Sequence, residues 1–173
     1  MRFRTILFIC ISVFFSFILQ TTLFKVLAFG GISPNLLLLI VALFGLMFGR
    51  KVGLMTGFFA GLFIDMFFGS SLCFYALIYM YLGYMNGFFH RLFFNDDIKL
   101  PIALIAMSDL VYCLVIYTLT FLLRGRFHFG HYFLHIILPE IAYTVILSLF
   151  LCPFLIWAGN RLNQKPKGSL NID

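Results

Sequence analysis

Three carboxylic acids stand in stretches that otherwise read as hydrocarbon: Asp65, Asp109 and Glu140. No Lys or Arg lies deep in those stretches. An ionised carboxylate at the centre of a bilayer costs at least about 2.5 kcal/mol. Each acid must therefore be protonated, hydrogen-bonded, in contact with water, or matched by a cation from another chain. Two readings stand for each acid. One is a polar knot that ties helices together, and the other is a ligand or partner site beneath the membrane surface. His128, His131 and His135 offer metal-binding side chains beside Glu140, but their spacing matches no zinc signature, so no metal and no other cofactor is expected. A Ser or Cys nucleophile with a general base at hand cannot be assembled from this order of residues, and a non-catalytic protein is expected. Cys10, Cys73, Cys113 and Cys152 all fall in apolar runs without CxxC spacing. They read as small hydrophobes in helices, not as a disulfide frame or a thiolate metal site.

The elements that carry these groups follow from composition. Of 173 residues, 63% are hydrophobic and only 10% charged, too few charges to coat a soluble domain of this size. The expectation is one integral membrane domain over residues 1–173. The net charge of +6 sits mainly at the ends of apolar segments. It therefore reads as topology signal and contact with anionic lipid in the bilayer, not as a nucleic-acid surface.

Hydropathy predicts an all-α polytopic membrane protein with six transmembrane helices, over residues 5–24, 34–49, 52–68, 72–89, 100–123 and 132–157, and a short tail over 158–173. With both termini inside, nine Lys and Arg residues fall on the inner side against three outside. That imbalance predicts cytoplasmic termini. Between the second and third spans, Arg50 and Lys51 mark a water-facing turn. Gly45, Gly49, Gly53, Gly57 and Gly61 recur at every fourth position through this hairpin, and Asp65 and Gly69 continue the series. Such spacing lets helix backbones approach closely. Asn35 and Asp65 each lie fifteen positions from Arg50. Both should reach one depth, roughly 21–22 Å from the turn at 1.5 Å per residue. The second span is about 24 Å long, short of the hydrocarbon core. Its outer end, Ser33-Pro34-Asn35, should sit below the surface and open a recess that Asp65 and Glu140 share. Asp109 and His135 are expected as further buried polar groups.

The run SPNLLLLIVALFGLMFGRKVGLMTGFFAGLFIDMFFGSSLCFYALIYMYLGYMNGFF resembles the core of the MreD family, rod-shape-determining membrane proteins of bacteria. The resemblance rests on Pro34, Asn35, Leu36, Gly57, Gly61, Leu62, Asp65, Gly69, Gly83, Tyr84 and Gly87, in that order. It implies a non-catalytic scaffold subunit of the cell-elongation machinery in the bacterial cytoplasmic membrane. Such proteins associate with MreC, and through it with the RodA glycosyltransferase, its penicillin-binding transpeptidase partner and, indirectly, MreB filaments. The resemblance also implies a bundle similar to the S components of energy-coupling-factor transporters, whose outward pocket binds vitamins. A small-molecule uptake subunit is thus the rival reading. The first span has Ser12 and Ser16 at four-residue spacing but lacks the Ala-x-x-x-Ala pair with which S components dock, which favours the scaffold.

Overall fold

In a computed structural model, residues 3–26, 33–68, 73–92, 98–119 and 133–163 are described. Gly69, His128 and His131 lie outside them. The described residues form six α-helices: α1 (Phe3–Val26), α2 (Leu36–Phe48), α3 (Arg50–Phe68), α4 (Phe74–Phe88), α5 (Lys99–Tyr117) and α6 (Leu138–Asn163). A 3-10 turn, Phe89–Leu92, closes α4, and a π-helical turn, Phe133–Ile137, leads into α6. Arg4–Thr22, Lys99–Tyr117 and Leu134–Gly159 are long and apolar enough to cross a membrane; Leu36–Phe48 is apolar but shorter.

The bundle is built around α2. Every residue from Leu36 to Met47 is buried, as expected of a helix that is hydrophobic on all sides. Large apolar side chains elsewhere point outward, among them Ile11, Phe15, Met55, Phe59, Met66 and Phe150. Small polar ones point inward: Ser12 and Ser16 of α1, Thr56 of α3 and Ser148 of α6 are all buried. This inversion of the soluble pattern belongs to a bundle whose solvent is lipid and whose helices meet on small residues.

The α2–α3 turn falls one residue before the expected position. Gly49 takes a φ of +89°, outside the range comfortable for other residues, and reverses the chain without a loop. Arg50 is already the first residue of α3, its guanidinium 3.5 Å from the Phe88 ring centroid. Contacts at this end bring basic residues together. Gly87 abuts Arg50, Gly159 abuts Met47, and Ile6 lines the same groove as Lys51. Arg4, Arg50, Lys51, Arg91 and Arg161 thus belong to one end of the bundle.

The glycine series serves a second helix pair besides the expected one. Within α3, Gly57 and Gly61 face α4, where an added Cβ would strike the Tyr79 carbonyl and the Ala76 backbone respectively. Gly53 meets both the Gly83 carbonyl on α4 and the Gly45 backbone on α2. The tightest seam is therefore α3 on α4. One turn per glycine keeps the row on a single face, and α4 answers with Ala76, Gly83 and Gly87, its own small residues.

Candidate functional site

A helix end inside a bilayer exposes backbone amides that only protein groups can satisfy. Three polar side chains do this for α2 and α4. The Leu37 amide donates to Gln20 Oε1 of α1 at 2.9 Å. Asn35, the N-cap of α2, accepts the Leu38 amide at 3.3 Å through its own Oδ1. Asp65 does the same for α4 from α3: the Tyr75 amide donates to Oδ1 at 3.0 Å and the Ala76 amide to Oδ2 at 2.9 Å. Cys73, at the cap position of α4, makes no side-chain cap of its own. The acid also complements the positive end of the α4 dipole. At the opposite end of α2, His90 Nδ1 lies 2.6 Å from the Leu46 carbonyl oxygen, donating when the ring proton is on that nitrogen.

A second polar group lies where α2, α4, α5 and α6 converge. The fully buried Tyr79 hydroxyl donates to Asn35 Oδ1 at 2.7 Å. The Asn35 backbone N–H donates to Thr144 Oγ1 at 3.2 Å, and the Thr144 hydroxyl donates to the Glu140 backbone carbonyl at 2.9 Å. Asp109 is fully buried beside Asn35 and Thr144, though outside hydrogen-bonding geometry with them. Donor atoms of Asp109, Cys113 and Glu140 all lie within 4.8 Å of one another. Tyr112 packs its ring against Tyr79, with centroids 5.5 Å apart. Closer to the basic end, the Asn86 amide group donates to Ser108 Oγ at 2.7 Å and joins α4 to α5.

The expected recess is thereby divided. Asn35 and Glu140 do belong to one cluster, joined through Thr144, and Pro34 is buried beside Asn35. Asp65 is committed to the α4 cap, one α4 turn from the Tyr79 contact. Asp109, expected only as a further buried polar group, joins the cluster instead. His135, expected to be buried, is exposed in the π-helical turn before α6. A cavity of about 170 Å³ opens close by, lined by Gln20, Thr21, Leu37, Ile64, Tyr75 and Tyr112, so none of the expected recess residues lines it. Gln20, Tyr79, Cys113 and Thr144 belong to these polar groups without having been singled out as site residues from the sequence. Gln20 and Thr144 carried a legible signal, since each is a polar group inside an apolar run.

The fold and these groups define an all-α integral membrane protein whose interior polar side chains close helix ends and link helices. The family model described as rod shape-determining protein MreD matches residues 1–158. The chain belongs to that family and is a rod shape-determining membrane protein. No curated protein and no solved structure matches the chain.

Proposed function

We propose that the protein is a non-catalytic scaffold subunit of the bacterial cell-elongation complex, which binds MreC and through it engages RodA, the penicillin-binding transpeptidase partner and, indirectly, MreB. Membership of the MreD family over residues 1–158 supports the assignment to shape determination. The observation that carries the scaffold reading is an apolar groove between α1 and α3, about 650 Å³ in volume. Ile9, Val13, Val52, Met55 and Phe59 line it, and Lys51 stands at one end. A groove of this kind suits a transmembrane segment of MreC, held by side-chain packing in lipid. The Asn35 and Asp65 side chains, by contrast, are hydrogen-bonded within the bundle and are assigned to its integrity.

The protein sits in the cytoplasmic membrane with both termini inside in this reading. Its support is the gathering of Arg4, Arg50, Lys51, Arg91 and Arg161 at one end of the bundle, which the positive-inside rule assigns to the cytoplasm. A vitamin-uptake role fits less well. The cavity beside the polar cluster, at about 170 Å³, falls below the roughly 300 Å³ at which small-molecule pockets begin. Ser12 and Ser16 are buried in the bundle, not offered to a transporter partner.

Co-purification of detergent-solubilised complexes tests the assignment. Met55→Ala combined with Phe59→Ala removes two outward side chains of the groove and should release MreC while the bundle stays folded. Undiminished recovery of MreC with that variant would overturn the groove as its seat.

A further inference from the structure

Asp109 and Glu140 pose a charge problem that their own surroundings leave open. Both Asp109 carboxyl oxygens are buried without a hydrogen-bond partner among the described residues. The neighbouring Thr144 hydroxyl directs its proton to the Glu140 carbonyl, and its oxygen accepts the Asn35 backbone N–H. No Lys or Arg is among the described groups acting on either acid. A carboxylate left so in an apolar interior is costly, and a second one beside it adds repulsion.

The donor set indicates what would resolve this. Asp109 and Cys113 are four residues apart on α5, so they present an oxygen and a sulfur on one face. Glu140 brings a second carboxylate from the first turn of α6. The three donor atoms lie within 4.8 Å of one another. Closing them around an ion at about 2.0–2.3 Å takes rotamer shifts of about 1 Å or less. Three protein donors with Thr144 or a water in fourth place is a zinc-type arrangement. The sulfur argues against magnesium and calcium, which take all-oxygen sites. Tyr112, next to Cys113 and within electrostatic reach of Glu140, also lines the cavity of about 170 Å³.

We propose that Asp109, Cys113 and Glu140 bind a divalent cation of the zinc class inside the bundle, fastening α5 to α6. This site is independent of which partner occupies the α1–α3 groove.

The test uses the full chain purified in detergent, stripped with chelator, and titrated with Zn²⁺ and with Co²⁺. A Cys10→Ser, Cys73→Ser background removes the two exposed thiols. One ion per chain is expected, with a sulfur-to-cobalt charge-transfer band that Cys113→Ser abolishes. Asp109→Asn and Glu140→Gln should each weaken Zn²⁺ binding by about tenfold or more, with helical content checked by circular dichroism. Both replacements remove an acid at nearly constant shape, so folded protein is expected. Sub-stoichiometric binding, a cobalt spectrum without the sulfur band, or unchanged affinity in folded Asp109→Asn or Glu140→Gln protein would each overturn the proposal. If Cys113→Ser does not fold, the band and stoichiometry in the parent background decide alone.

Discussion

Asp65, on α3, closes the N-terminus of α4 by accepting the Ala76 amide at 2.9 Å. Its other oxygen takes the Tyr75 amide. An acid that looked like a partner site from its place in an apolar helix is thus consumed by backbone that has no water to bond.

Replacing Asp65 by Ala should strand both amides and cost about 2–4 kcal/mol, combining the loss of a cap with two charge-assisted hydrogen bonds. Asp65→Asn keeps one acceptor oxygen and should cost about half as much. Unfolding in mixed detergent micelles, followed by circular dichroism, separates the two. Equal losses for Asn and Ala would show that the capping account is wrong.

The Tyr79 hydroxyl and Asn35 form a fully buried pair. Tyr79→Phe should cost about 1 kcal/mol, and Asn35→Ala about 2–3 kcal/mol, because Asn35 also caps the Leu38 amide. In a double-mutant cycle the two should couple by about 1 kcal/mol. Strict additivity would mean the contact contributes nothing to stability.

Glycine positions should differ according to their neighbours. At Gly57 a Cβ meets the Tyr79 and Met80 backbone, which cannot step aside. Gly57→Ala should therefore lower stability by about 1–3 kcal/mol, and Gly57→Leu should separate α3 from α4. At Gly49 the space is open, with His90 3.7 Å away at the nearest, and only the left-handed φ opposes substitution. Gly49→Ala should cost about 1–2 kcal/mol, and Gly49→Leu little more than Gly49→Ala. Thermal melts of the four variants check this, and equal damage by Leu at both positions would contradict it.

Gln20 is the sole side-chain acceptor given to the Leu37 amide among the described residues. Gln20→Leu should orphan that amide at a cost of about 1–3 kcal/mol and speed its hydrogen exchange, while Gln20→Glu retains the acceptor. Unchanged Leu37 protection in the Leu variant would show that another group satisfies α2.

Several of these relationships were legible in part. Ser33-Pro34 announced the start of α2 to within two residues, but with Ser33 as the cap, whereas the cap is Asn35. The glycine spacing announced a close helix seam without naming both helices. A row of glycines on one helix face says that a backbone can approach, but Gly83 and Gly87 of α4 were as suitable a partner as the α2 stretch. Depth counting brought Asn35, Asp65 and Glu140 to one level, but it did not say that Asp65 would turn to the α4 amides while Asp109 joined Glu140. Fifteen residues of helix set a height, and the direction in which a side chain points at that height depends on how the helix is rotated against its neighbours.

Residue types and their order therefore established an all-α membrane protein, because bilayer thickness and the cost of unbonded backbone impose long apolar helices whatever their neighbours. Which acids meet was a matter for the folded bundle alone. Asp65 reaches the amides of α4, while Asp109 and Glu140 converge with Cys113 between α5 and α6. Those pairings arise from helix rotation and crossing, set by side-chain packing between segments far apart in the chain.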